Sequence, residues 1–244
     1  MHSIERQLSV FAVSRNADDQ AAKIAHQLGA TLETSESGLS GLVLEVGEAK
    51  LALRDYDRPR TRSFFVDSQI QRRAVSSRDL LGRALGPKST TIIDATAGFG
   101  SDSFDFLRRG KRVFAVERIS LIVFLLKDAV AKIENSDERK RISVLEAAAQ
   151  DIIPSLPSCD VIFLDPMFED VEKRSAKPRK AQQLLRLIAG PSSDSDSLLE
   201  VARQHAKQRV VVKRPRLSSS LGVEPDHCFR GKSIRYDVYF SRTS

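Results

Sequence analysis

Tryptophan is absent from this chain of 244 residues, and cysteine and methionine occur only twice each. Cys159 and Cys228 stand far apart and belong to no CxxC or Cys/His cluster, so neither a disulfide framework nor a zinc site is expected. His2, His26, His205 and His227 are scattered, which fits surface positions better than metal ligands, and no metal is expected. Long apolar runs are lacking as well. The longest, at 121–126, is far short of the ~18 residues that cross a bilayer. The opening residues MHSIERQ are polar and charged and do not read as a leader. A reduced, cytoplasmic setting without membrane contact is the expectation.

What is present is a hydrophobic fraction of 41%, enough for a sizeable core in one large domain or one and a half. Lysine and arginine outnumber the acids 39 to 32, a net charge of +7 that modestly favours a polyanionic partner.

The most informative stretch is 91–118, TIIDATAGFGSDSFDFLRRGKRVFAVER. Ile92 and Ile93 form an apolar run ending in Asp94, and a loop of small residues follows with Gly98 and Gly100. That reads as a buried strand entering a tight turn. Ser101 or Asp102 can cap the next helix, Phe104, Phe106 and Leu107 can supply its buried side, and Gly110 can end it. A second apolar run then climbs to Glu117. In such β-turn-α-β units the glycines let the backbone approach a ligand, and an acid about 20 residues on grips the hydroxyls of a ribose. An adenosine-bearing ligand fits. The third glycine of a dinucleotide fingerprint is replaced by Ser103, and an acid, three residues and GxG resemble the first motif of Rossmann-like methyltransferases that bind S-adenosyl-L-methionine. The loop alone leaves a dinucleotide, or a bland strand-turn-helix, open.

Residues 1–64 read as a small α/β unit, with a strand at 8–14, a helix at 17–28 ending at Gly29, and a hairpin of strands at 42–46 and 50–54. It carries no catalytic motif. Residues 65–244 form the larger domain. Between Arg54 and Arg83 lie eight arginines, Arg72 and Arg73 among them, interleaved with Tyr56, Phe64 and Phe65. This composition suits phosphate contact and base stacking, or equally a solvated face and linker.

After Glu117 come an apolar helix at 119–133, a polar turn, a third strand at 142–145, and then AAAQD at 147–151. Ligands lie beyond strand ends in open α/β sheets, so Ala148 and Ala149 could flank an adenine. The fourth strand, 160–164, runs into Asp165, Pro166, Met167 and Phe168. An acid, a proline and an aromatic three residues after the acid resemble the (N/D)PP(Y/F) signature of amino-group methyltransferases. The exocyclic amine of guanine or adenine has its lone pair drawn into the ring and needs acceptors to re-aim it. Asp165 and the Pro166 carbonyl could supply them, with Phe168 stacked on an extruded base. Lys173, Arg174 and Lys177 follow within a basic segment suited to nucleic acid. Helices at 182–188 and 197–206 precede a fifth strand, 209–212, that ends in Lys213, Arg214 and Pro215. A last strand, 234–240, is expected as an antiparallel edge.

DATAGFGSD, VER at 116–118, LDPMF at 164–168 and VVVKRP at 210–215, in this order and spacing, resemble the bacterial small-subunit ribosomal RNA guanine-N2-methyltransferase J family over roughly residues 60–240. The resemblance implies a Rossmann-like methyltransferase fold, a mostly parallel sheet with an antiparallel edge strand. It also implies S-adenosyl-L-methionine as cofactor and a guanine of 16S ribosomal RNA, free or in the small ribosomal subunit, as substrate. It carries cofactor contacts onto Ser101, Asp102, Glu117, Arg118, Ala148, Ala149 and Asp165, to which Asp94, Gly98 and Gly100 are added from the loop. Ala148 and Ala149 depart from the serines common in the family, which leaves only backbone contact there. The segment AVSSR at 74–78 departs as well, lacking the glycines of the family. RNA contacts are expected at Arg72, Arg73, Lys173, Arg174, Lys177, Lys213 and Arg214.

Overall fold

The computed structural model describes residues 8–58, 61–68, 75–76, 78–166, 180–189 and 195–242. The chain opens with β1 (Leu8–Ala12), α1 (Asp18–Leu28), β2 (Thr31–Glu33), β3 (Leu42–Val46) and β4 (Leu51–Asp55). These strands form a sheet in the order β2-β1-β3-β4, with only the β3–β4 hairpin antiparallel. Helix α1 stops at Gly29, whose φ of 60° is open to glycine at little cost. The strand β2 escaped the sequence because its three residues are too short to show a period.

The second sheet follows α2 (Leu80–Leu85), which Asp79 caps by accepting from the Gly82 amide at 2.7 Å. Its elements are β5 (Thr91–Asp94), α3 (Ser101–Arg108), β6 (Arg112–Glu117), α4 (Ser120–Ala131), α5 (Ser136–Arg139), β7 (Ile142–Glu146), α6 (Ala149–Ile152), β8 (Val161–Leu164), α7 (Lys180–Ala189), α8 (Ser195–His205), β9 (Arg209–Pro215), β10 (His227–Arg230) and β11 (Ile234–Phe240). The strand order is β10-β11-β9-β8-β5-β6-β7, parallel from β9 to β7 and antiparallel at β11 and β10. Residues 234–240 are antiparallel as expected, but β10 lies outside them at the margin. The polar turn expected at 135–140 contains α5, capped by the Asn135 side chain.

Period-two alternation divides the buried strand residues between two faces. Ile92, Val113, Val161 and Phe163 pack with α2, α3 and α4, and the Phe163 ring meets Phe106 edge-on at 4.9 Å. Ile93, Val116, Ile162, Leu164 and Val210 pack with α8 on the other side. Full burial of such side chains contributes about 1.5–3 kcal/mol each.

The two sheets are hydrogen-bonded separately but share the first of these cores, since Val10, Leu44 and Leu53 belong to the same cluster as Ile92 and Phe104. The Leu51 amide donates to Asp128 of α4 at 3.0 Å. Phe64 pairs by its backbone with Leu53 and sets its ring 4.7 Å from Phe99, inside the glycine loop. Among the described residues no helix is long and apolar enough to cross a membrane.

Candidate active site

The parallel strands bring Asp94, Glu117 and Asp165 to one edge of the sheet, because each stands at or just past the carboxyl end of its strand. The loop after β5 is knitted to both neighbours. Ala95 donates its amide to the Phe163 carbonyl and Ala97 to that of Val116, each at 3.0 Å. Gly98 has φ 52° and Gly100 φ 79°, so both lie where a side chain is strained. A Cβ on Gly100 would stand 2.5 Å from a Leu126 methyl carbon, so the loop sits flush against α4. Gly100, not Ser101 or Asp102, is the residue before the first turn of α3, and no side chain caps that helix. The expected cap is thus replaced by a glycine turn, which frees Asp102 for another partner.

That partner is Lys213. Its ammonium lies 2.7 Å from Asp102 Oδ2 and 2.8 Å from Asp165 Oδ2, joining the start of α3 to the end of β8. Burial alone would lower the Lys213 pKa, but Asp165 and Asp102 on either side raise it well above its ordinary value. Burial also raises the Asp165 carboxyl, and Asp102 adds to this while Lys213 opposes it. The Asp165 amide donates to Thr96 Oγ1 at 2.6 Å, and its side chain keeps 36% of its surface open. The acid is held from behind and exposed in front.

Asp94 is sealed in, only 1% exposed. Burial, with Asp102 nearby, pushes its carboxyl up to about 7 against hydrogen bonds from the Ser103 hydroxyl, at 2.5 Å, and the Thr96 amide. Ser103, at the position of the missing third glycine, therefore serves the acid of β5. Glu117 accepts from the Gly98 amide at 3.0 Å through one oxygen and from the Ile119 amide at 2.9 Å through the other. Burial raises its carboxyl, though these amides pull the other way. It ties the glycine loop to the end of β6, a role the ribose expectation did not include.

Arg118 is exposed beside Glu117, and Ala148 and Ala149 open α6 past the end of β7, where the Ala147 amide donates to the Glu117 carbonyl at 3.0 Å. Pro166 is described and buried. Phe168, Lys173, Arg174 and Lys177 lie outside the described residues, as do Arg72 and Arg73. Two expected RNA contacts are corrected. Lys213 is consumed by its two acids, and Arg214 is 5% exposed with its guanidinium turned onto the Ser219 carbonyl at 2.7 and 3.0 Å. The Lys213 charge is taken up between two carboxylates, and burial turns Arg214 away from the surface. A cavity of about 240 Å³ lined by Gly86, Pro87, Arg109 and Lys111 opens elsewhere, beside the segments entering β5 and β6, and none of the acids above lines it.

The charges discriminate between ligands. Even with Asp94 protonated, Asp102 and Asp165 outnumber Lys213, and Asp102 already occupies the first turn of α3 where a dinucleotide places its pyrophosphate. An anionic ligand is opposed there. A cationic one, bearing a sulfonium and an ammonium, is favoured, and the flush glycine loop with an acceptor at the end of β6 fits an adenosine.

An open, mostly parallel sheet with a glycine loop between two acid-ended strands, and with Asp102 and Asp165 where a dinucleotide would need room for its phosphates, fits the class of Rossmann-like SAM-dependent methyltransferases. The family model described as SAM-dependent methyltransferase matches residues 26–241, and S-adenosylmethionine is the cofactor. Over 240 aligned residues the chain is 35% identical to the ribosomal RNA small subunit methyltransferase J of Coxiella burnetii, with 92% of this chain and 93% of that one covered. The counterpart in Pseudoalteromonas atlantica is 33% identical, covering 94% and 98%. The chain belongs to the ribosomal RNA small subunit methyltransferase J family. The crystal structure of a SAM-dependent methyltransferase from Neisseria gonorrhoeae superposes with a TM-score of 0.75 at 28% identity, over 97% of both chains.

Proposed function

We propose that this protein methylates the exocyclic N2 amine of a guanine in small-subunit ribosomal RNA. The RNA substrate is supported by the relatives, which are named for it. The choice of an amine rests on one observation: Asp165 stands at the end of β8 with its backbone held by Thr96, its charge held by Lys213, and over a third of its side chain (36%) open. In this reading Asp94, Gly98, Gly100, Ser101, Asp102, Glu117, Arg118, Ala148 and Ala149 surround the cofactor, with Glu117 accepting from the ribose hydroxyls.

Bound S-adenosylmethionine supplies a methyl group on a sulfonium, an electrophilic carbon with a neutral thioether as leaving group. The protein's task is the nucleophile. Asp165 accepts one N–H of the amine and the Pro166 carbonyl accepts the other, which re-aims the nitrogen lone pair out of the ring plane. As the N–C bond forms, the amine's surplus proton passes to Asp165 and on to solvent. Lys213 favours the ionised form of Asp165 that can accept. Phe168, three residues after Asp165, is proposed to stack on the extruded base.

The test is mass analysis of nucleosides digested from small-subunit RNA after incubation with protein and cofactor. N2-methylguanosine should be the only new product. N6-methyladenosine would transfer the reading to adenine, and methylation of a ring nitrogen or ribose would overturn the amine mechanism, since neither needs acceptors placed for an amino group.

A further inference from the structure

Beyond β8 the chain returns twice to the carboxyl-terminal edge of the sheet and sets three strand ends there. Strand β9 ends there at Pro215, β11 starts there with Ile234 opposite Pro215, and β10 ends there with Arg230 opposite Arg235. The loop at 216–220 and the turn at 231–233 are thereby neighbours, joined by a 3.0 Å bond from the Arg216 amide to the Ser233 carbonyl. Residues 213–220 and 229–236 together hold six cations and no acid.

The fold sorts these cations into two sets. Three are turned inward: Lys213 to its two acids, Arg214 to the Ser219 carbonyl, and Arg235 to Asp237. Arg235 grips Asp237 with two bonds of 2.8 and 3.0 Å and uses its remaining nitrogen on the carbonyls of Arg216 and Ser218, at 3.0 and 2.5 Å. Arg216, Arg230 and Lys232 are exposed. Between the clamped carbonyls of 216 and 218 stands Leu217, 94% exposed. Buried guanidiniums hold this loop in place, so it cannot easily fold its leucine away from water.

We propose that this edge is the RNA-docking surface, with Arg216, Arg230 and Lys232 on backbone phosphates of the strand that carries the target base and Leu217 against a neighbouring base. The inference rests on the RNA reading above. Charge complementarity selects the occupant, because two acid-free segments present outward cations beside the strand end that carries Asp165. Phosphate contacts position a strand while carrying little sequence information, which leaves the choice of base to the pocket.

The experiment compares binding of the full chain to transcribed small-subunit RNA across a salt series. The triple variant Arg216→Ala, Arg230→Ala, Lys232→Ala should bind more weakly at low salt, and its slope of log affinity against log salt should fall by about 2, from ~0.7 per single-strand phosphate contact. Cofactor affinity and melting temperature should be kept. A control of equal charge change at the opposite edge, Lys88→Ala, Arg112→Ala, Lys140→Ala, should retain the slope. Leu217→Ala should weaken binding at every salt concentration without altering the slope. An unchanged slope in the edge variant, or an equal fall in the control, would overturn the docking surface. A wild-type protein that binds no RNA would instead overturn the functional reading, and this surface with it.

Discussion

The two edges of the seven-stranded sheet treat a carboxylate in opposite ways. At the amino-terminal edge Asp160, just before β8, accepts from the Thr90 amide, the Thr90 hydroxyl and the Thr91 amide at 2.7, 2.8 and 3.1 Å. Burial works against its charge, but these donors win and hold the carboxyl down to about 2. At the carboxyl-terminal edge Asp94 ends the neighbouring strand and is pushed up to about 7 by burial, with Asp102 adding to it. One acid is satisfied and ties two strand starts together. The other is crowded, at a cost to stability. Placing acids where they are electrostatically uncomfortable is a mark of a binding edge, while the opposite edge is free to optimise stability.

The contrast breaks most visibly at Lys213, the cation that makes the crowded edge tolerable. Lys213→Met leaves Asp102 and Asp165 without their shared partner and should destabilise the fold by about 2–4 kcal/mol, somewhat less than a fully buried pair because Asp165 is partly solvated. Its catalytic signature is separate. Losing the ammonium raises the Asp165 carboxyl further, so a higher pH is needed to ionise it, and the acidic limb of kcat/KM should move to higher pH. Asp165→Asn has no carboxylate to titrate and should lose rate without that displacement. A pH–rate profile identical to wild type in the Met variant would remove Lys213 from the mechanism.

Asp94 sharpens the comparison through stability. The folded state retains a proton on Asp94 that the unfolded chain releases near pH 4, so the folded protein binds more protons between about pH 4 and 7 and its stability falls as pH rises through that window. Asp94→Asn abolishes this titration. Chemical denaturation of both proteins at the two ends of the window should show the stability gap shifting toward the variant by about 2–4 kcal/mol on raising the pH. A pH-independent gap would mean that the Asp94 carboxyl titrates normally.

The smallest effect belongs to the comfortable acid. Asp160→Asn retains an acceptor but loses the charge, and should cost about 1–3 kcal/mol near neutral pH. Here the sign is reversed: the folded carboxyl is depressed, so its contribution is present above about pH 4 and fades as the pH falls toward 2. Cofactor affinity, measured by calorimetry, should stay at the wild-type value, since Asp160 sits at the far end of the strands.

Legibility in the sequence followed the range of the interactions involved. The strand-loop-helix at 91–108 and the acids ending β5 and β6 were readable because apolar runs, glycines and terminal acids are local signals. Strand β10 was not readable, since His227, Cys228, Phe229 and Arg230 show no clean alternation and are held by pairing with β11. The capping of α3 was misplaced because Ser101 and Asp102 both look like caps, and only the backbone turn at Gly100 rules them out. Ser103 and Thr96 passed unnoticed as site residues, although a serine where dinucleotide folds place glycine was a visible anomaly.

The lysines and arginines mark the boundary most clearly. By itself the sequence determined that cations close β9, that an acid and a proline follow β8, and that a glycine loop follows β5, because each of these is set by neighbours along the chain. Which cation does what was decided only in three dimensions. Lys213 and Arg216 are three residues apart and chemically alike in charge, yet one lies between Asp102 and Asp165 and the other stands in solvent. The partners of Lys213 are 111 and 48 positions away in the chain, so the sign and burial of its surroundings exist only once β5, β8 and β9 lie side by side. A charge's role depends on the dielectric and the opposite charges around it, and those are properties of the assembled sheet edge.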